Sequence, residues 1–127
     1  MVKKMILIDT NVVIEFFKGN AATQKKLTEI GFDNLAISSV TEMELYFGAL
    51  NKKELSFIKK HLRSIFTIHI DTEISIKAVT LIEKYSKSHN LQIPDAIIAA
   101  TAIISNIHIF TYNLKDFKYI DGLSLIE

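Results

Sequence analysis

Met5-Ile6-Leu7-Ile8-Asp9-Thr10-Asn11 is the segment from which the architecture can be argued. Four consecutive apolar residues without alternation describe a strand covered on both faces, the condition of a strand inside a parallel sheet. The run stops at Asp9, so a carboxylate is delivered just where the strand gives way to the next element. In open α/β sheets, ligands bind at the carboxyl edge of the strands. Asp9 is therefore the first candidate for a working residue, and its partners must come from other segments that reach the same edge.

Thr10 can cap a helix through Val12, Val13, Phe16 and Phe17, with Gly19 as its stop. A second helix is expected over about 21–30, ended by Gly31, and Leu35-Ala36-Ile37 reads as a short strand. Ser38 or Ser39 then caps a helix over 40–50, and Asn51 with Glu54 three residues on opens another over 52–64. A third strand is expected over 66–70. Asp71 caps a long helix through Ile74, Ala78, Leu81, Ile82 and Tyr85 that fades near Asn90. Pro94, the single proline, opens a helix over 95–105 that is apolar on nearly every face and so is expected to be buried. Strands are expected over 107–111 and 123–126. Strands alternating with helices in 127 residues imply one α/β domain, 1–127, with a central parallel sheet of four to five strands between layers of helices.

Composition narrows the function. Hydrophobic residues make up 49% of the chain, yet no apolar run approaches the roughly 20 residues of a membrane span. The four apolar residues after Met1-Val2-Lys3-Lys4 are too few for the core of a signal peptide. Cysteine is absent, which excludes disulfides, thiol chemistry and zinc–thiolate sites, and a cytoplasmic protein without membrane attachment is expected. Net charge is +1, but if four acids gather in one site, 15 basic side chains face the ten remaining acids, an excess of five. A mildly basic body around an acidic pocket suits a phosphate-bearing polymer, although a mixed-charge surface is the commoner reason for such a balance.

Three further acids stand out. In the helix from Val40, the residues Val40, Met43, Phe47 and Leu50 form an apolar stripe at helical spacing; Glu44 falls at its edge and Glu42 on the opposite, solvent face. Asp95 lies in the first turn of an apolar helix, where the helix dipole alone accounts for most acids. Asp116 follows the strand ending at Thr111, in a place where a lone Asp usually serves a turn. Taken together, Asp9, Glu44, Asp95 and Asp116 can all reach one edge. Clustered carboxylates repel one another and need a counter-charge, which a hard, oxygen-seeking cation such as Mg²⁺ or Mn²⁺ supplies. A metal so held is suited to phosphodiester hydrolysis. The four histidines have no ligand spacing on one helix face and are expected to form no site.

These segments resemble, in order and over nearly the whole chain, the PIN-domain nucleases, and among them the VapC-type toxins of toxin–antitoxin pairs. The resemblance rests on the strand ending in Asp9-Thr10-Asn11, and on Ile37-Ser38-Ser39-Val40-Thr41-Glu42-Met43-Glu44-Leu45-Tyr46-Phe47-Gly48-Ala49. It rests also on Ile93-Pro94-Asp95-Ala96-Ile97-Ile98-Ala99-Ala100-Thr101-Ala102 and on Thr111-Tyr112-Asn113-Leu114-Lys115-Asp116-Phe117. It implies a metal-dependent endoribonuclease that inhibits translation, with Asp9, Glu44, Asp95 and Asp116 holding Mg²⁺ or Mn²⁺. Asn11 and Asn113 would orient ligands or water, Thr111 would brace the site, and cleavage by water would leave 5′-phosphate and 3′-hydroxyl ends. Tyr112 stands where many relatives have arginine. A homodimer and a cognate antitoxin are the implied protein partners. The antitoxin would offer a basic side chain to the acids and a helix to apolar residues such as Phe16, Phe17, Leu45 and Phe47.

Two rival readings differ in class. A haloacid-dehalogenase-like phosphatase needs a second Asp two residues after the first, and Asn11 stands there. A PIN-fold binding module without catalysis is expected to lose acids, whereas all four are present. For the RNA itself, the nearest basic cluster in sequence is Lys52, Lys53, Lys59, Lys60 and Arg63, which would equally serve as the solvent face of a helix.

Overall fold

The computed structural model describes residues 5–126; Met1–Lys4, on which the expectation about a leader bears, and Glu127 lie outside the described residues. The chain forms β1 (Ile6–Ile8), α1 (Thr10–Phe17), α2 (Ala21–Ile30), a 3₁₀ turn (Phe32–Asn34), β2 (Leu35–Ser38), α3 (Ser39–Phe47) and α4 (Lys52–Leu62). It continues through β3 (Phe66–Ile68), α5 (Thr72–His89), α6 (Ile93–Ser105), β4 (His108–Phe110), a second 3₁₀ turn (Leu114–Asp116) and β5 (Leu125–Ile126).

All five strands are parallel, in the order β3-β2-β1-β4-β5, so the segment that opened the reading is the middle of the sheet. Leu7 pairs with Ala36 on one side and Ile109 on the other. Those three residues point into a core shared with Ile74, Leu81 and Tyr85 of α5 and Ile98 and Ala102 of α6. Ile8, Leu35, Ile37 and Phe110 point the opposite way, into a second core with Val12 and Val13 of α1, Leu27 of α2 and Ile58 and Leu62 of α4. Both faces are thus apolar, which is why β1 shows no alternation.

Sequence signals placed most boundaries. Asn20, Asn51 and Asp71 accept hydrogen bonds from the backbone N–H of Thr23, Glu54 and Ile74, capping α2, α4 and α5. Asn90 and Asn106 close α5 and α6 in the left-handed conformation that asparagine tolerates. The departures are at ends: the strands expected over 66–70, 107–111 and 123–126 are shorter, and α4 stops at Leu62.

One departure matters more. The helix expected over 40–50 ends at Phe47, because Gly48 takes the cap position and donates its N–H to Glu44 O. Its buried face is Val40, Thr41 and Leu45, not the stripe expected from spacing: Met43 is 54% exposed, Phe47 93% and Leu50 86%. Thr41, fully buried, belongs to the inward face although it is not apolar, and Met43 and Phe47 project outward.

Candidate active site

The order of strands changes direction in the chain at β1: successive connections run outward through β2 to β3, then cross back to β4 on the other side. A crevice outside the carboxyl ends of the strands is expected at such a switch point, between β1 and β4. Asp9 follows β1 there, and its backbone N–H donates to Phe110 O at the end of β4 (3.0 Å). The Asp9 side chain is 4% exposed and both its oxygens are engaged. Oδ1 accepts from the Thr10 backbone N–H (2.8 Å), making Asp9, rather than Thr10, the cap of α1; Oδ2 accepts from the Thr111 hydroxyl (2.7 Å). Thr111 is itself held, since its oxygen accepts from the Asn113 N–H (3.0 Å). Burial raises the Asp9 carboxyl above its usual range; the bonds from Thr111 and Thr10 oppose that rise, and the charges of Glu44 and Asp116 add to it.

Glu44 is exposed but tethered. Thr10 Oγ1 donates to Glu44 Oε1 (2.7 Å) and stands 2.9 Å from the Thr41 hydroxyl. Thr41 and Glu44 are three apart on α3 and are therefore neighbours on its surface. The path from Asp9 to Glu44 thus runs through the first residue of α1. Glu42 is half-buried and accepts from the Tyr46 hydroxyl (2.9 Å), one turn along the same helix. Glu44 therefore meets the site through Thr10, not through the stripe that the spacing suggested.

Asp95, half-buried at the third position of α6, has its carboxyl pushed up to about 6, by burial first and then by the charges of Asp9, Asp116 and Glu44. Asp116 is half-buried in the second 3₁₀ turn. The charges of the other three predicted acids thus all reach Asp95, and those of Glu44 and Asp116 also reach Asp9. Among the described residues none of the four is in a salt bridge; the two pairs present are Lys18–Glu15 and Lys84–Asp121. Nor, among the described residues, do three acidic or histidine side chains stand close enough together to hold one ion as they are oriented here. The donor set is nonetheless all oxygen, and among the described residues no salt bridge or side-chain hydrogen bond occupies Asp95 or Asp116, a chemistry that suits a hard divalent cation.

Of the supporting residues, Asn11 lies in the first turn of α1, and Thr111 and Asn113 lie on the connection after β4. Asn11 Oδ1 accepts weakly from the Tyr112 backbone N–H (3.5 Å), and the exposed Asn113 contributes through its backbone. Tyr112 turns its hydroxyl to the fully buried Thr23 of α2, with its ring edge-on to Phe110 (5.3 Å). That side chain is thus committed to the fold. Sequence reasoning missed the roles of Thr10, Thr41 and Thr23; their partners lie 31 to 89 residues away, and no local pattern encodes such contacts.

Beside Glu44 runs a mainly apolar groove of about 440 Å³, lined by Ile14, Phe17, Leu45, Phe57 and Ile58 together with the charged Lys18 and Glu54. Of the aromatic residues expected around the site, Phe17 lines it and Phe16 packs at its flank, whereas Phe47 points to solvent.

The PIN domain family model matches residues 6–123. The chain is 33% identical to Ribonuclease VapC1 of Methanocaldococcus jannaschii over 122 residues, 94% of this chain and 84% of that one. Ribonuclease VapC10 of Mycobacterium tuberculosis is likewise 33% identical, over 94% of this chain and 90% of its own. Among solved structures, a toxin–antitoxin complex from Klebsiella pneumoniae superposes with a TM-score of 0.81 at 32% identity, covering 96% of both chains. VapBC2 from Rickettsia felis, bound to a DNA fragment from its promoter, gives 0.83 at 25% identity over 96% of this chain and 97% of that one.

Proposed function

The chain belongs to the PIN-domain family, and from that membership we propose that it is a divalent-metal-dependent endoribonuclease, the toxin of a toxin–antitoxin pair. The observation that carries the reading is the mutual charge of Asp9, Glu44, Asp95 and Asp116 at the switch point of the sheet, with no cation of the chain paired to any of them among the described residues. Carboxylates so placed are held at a cost in repulsion, and a site that keeps them is built for a positive ligand.

These four acids would hold Mg²⁺ or Mn²⁺, which when bound supplies Lewis acidity toward the scissile phosphate and lowers the pKa of water. The chain's own contribution is orientation. Thr111, pinned by the Asn113 N–H, fixes one oxygen of Asp9, and the start of α1 fixes the other. Thr10 aims Glu44 from α3 at the same edge. Lys52, Lys53, Lys59, Lys60 and Arg63 are exposed and, among the described residues, unpaired, which favours an RNA backbone crossing α4. A cytoplasmic location goes with this proposal, and among the described residues no helix is long and apolar enough to cross a membrane.

Its protein partners would be an antitoxin and a second copy of itself. The groove beside Glu44 has the apolar walls that a partner helix needs. For the second copy, the exposed Phe66 of β3, Ile70 of the connection after it, and Ile76 and Val79 of α5 offer apolar surface built from other residues than that groove. The silent-module alternative is separated by chemistry. Incubated with RNA, the purified protein should cut in Mn²⁺, stop in excess chelator, and leave 5′-phosphate ends. Asp9→Asn should fold with activity reduced at least about a thousandfold, as for loss of a group stabilising transition-state charge. Wild-type rates in folded Asp9→Asn, or cleavage unaffected by chelator, would overturn the assignment.

A further inference from the structure

His89, the last residue of α5, lies flat on Tyr119: the ring centroids are 4.0 Å apart and the planes 7° from parallel. Both rings meet Tyr85 edge-on, at 5.7 Å and 74° for His89 and at 5.1 Å and 68° for Tyr119. Tyr85 is buried, and its hydroxyl accepts from the Asp121 N–H (3.1 Å). Lys84 lies over the Tyr85 ring and reaches the Asp121 carboxylate (3.1 Å). His89 Nδ1 is 2.8 Å from the Ser88 hydroxyl, which limits rotation of the ring.

A histidine in the last turn of a helix is explained by the helix dipole, but that account leaves ring orientation free. Here the ring is held by three neighbours, Tyr119, Tyr85 and Ser88, and the residue is still exposed. The platform also joins the two segments that supply acids. His89 precedes the turn into α6 and Asp95, and Tyr119 follows Asp116 by three residues. Burial, and then the charges of Asp95 and Asp116, raise the Tyr119 phenol. Exposed Lys87, Lys115 and Lys118 flank it in sequence.

Resting on the ribonuclease reading above, we propose that the outer face of the His89 ring, backed by Tyr119, seats one nucleobase of the RNA strand. Every base presents a flat π face to such a platform, and a platform already ordered by Tyr85 and Asp121 loses little freedom on binding. The lysines would hold the adjoining phosphates.

The test uses the full-length protein and a single-stranded RNA oligonucleotide spanning a cleavage site mapped with the wild type. His89→Ala should raise KM about tenfold, the size of one lost stacking contact, with kcat within about twofold. His89→Phe should restore KM. One abasic position in the oligonucleotide should reproduce the loss in wild type and add nothing in His89→Ala. Unchanged KM in His89→Ala, or abasic effects that add to it at every position, would overturn the subsite while leaving the nuclease intact. A His89→Ala change that weakens inhibition by the antitoxin and not RNA binding would make the platform a protein contact and overturn it too. If the wild type cuts no RNA, the parent reading fails and the subsite falls with it.

Discussion

Asp95 shows how a single carboxyl can bind together fold and function. Its usual pKa of 3.8 is pushed up to about 6, so between those values the folded protein holds a proton that the unfolded chain has released. Proton binding then favours the folded state at low pH, and that stabilisation is lost as pH rises through 6. The metal-free protein should accordingly lose thermal stability between about pH 4 and 6, and Asp95→Asn should remove most of the loss. Melting curves in chelator from pH 4 to 8 measure this; identical pH profiles for the two proteins would mean that Asp95 is not the group. The same proton competes with metal, so apparent Mn²⁺ affinity should fall about tenfold per unit below pH 6. Thr111 acts in the opposite direction on Asp9, whose ionised form it stabilises. Thr111→Val should destabilise the fold at neutral pH by about 1–3 kcal/mol, the size of a buried hydrogen bond to a charge, as read from urea unfolding. The sequence made Asp9 legible because a strand without alternation must end somewhere, and the first acid marks the place. It made Thr111 legible only through resemblance, since a threonine after a strand announces no partner.

At the scale of elements, α3 is where inference and structure part. Spacing pointed to Glu44 for a reason that fails: the stripe supposed to bury beside it is exposed, and Thr41 and Leu45 face inward. Glu44 nevertheless lies beside Thr41, and both reach Thr10. The contrast drawn with Glu42 then rests on different ground, because Glu42 accepts from Tyr46 within its own helix. Glu42→Gln should retain activity within about threefold, a charged-to-neutral exchange that keeps one acceptor for Tyr46. Glu44→Gln should lose activity by about a hundredfold or more, as expected for a group that sets up charge stabilisation at the reacting phosphate. Thr10→Val should move in the direction of Glu44→Gln, because it frees the carboxylate without removing it. Rates of RNA cleavage at saturating Mn²⁺ decide the matter, and equal losses for Glu42→Gln and Glu44→Gln would place both acids in the site. Helices with caps at both ends, such as α5 between Asp71 and Asn90, were readable almost to the residue. A helix whose inward face carries threonine was not, because hydrophobicity is blind to a buried hydroxyl that has found a partner.

At the scale of the molecule, near-neutrality is compatible with two local concentrations of charge: the four candidate acids, whose charges act on Asp9 and Asp95, and the exposed basic residues of α4. The groove of about 440 Å³ takes its walls from α1, α3 and α4, and Glu44 lines it as well as standing in the candidate site. A helix seated on Phe17, Leu45, Phe57 and Ile58 would therefore end near the acids. A basic side chain at that end would satisfy the repulsion among the acids as a metal does, but without activating water. Binding and inhibition should then be separable. An antitoxin whose nearest arginine is replaced by alanine should still occupy the groove, losing roughly 2–5 kcal/mol if the ion pair is desolvated, while the complex regains RNA cleavage in Mn²⁺. Phe57→Ala in this chain should do the reverse, weakening the complex about tenfold or more while leaving cleavage by the free chain unchanged. Calorimetric titration and cleavage assays on the same preparations measure both effects. An arginine-deficient antitoxin that inhibits as fully as the natural one would show that the groove alone excludes RNA, with no counter-charge placed among Asp9, Glu44, Asp95 and Asp116.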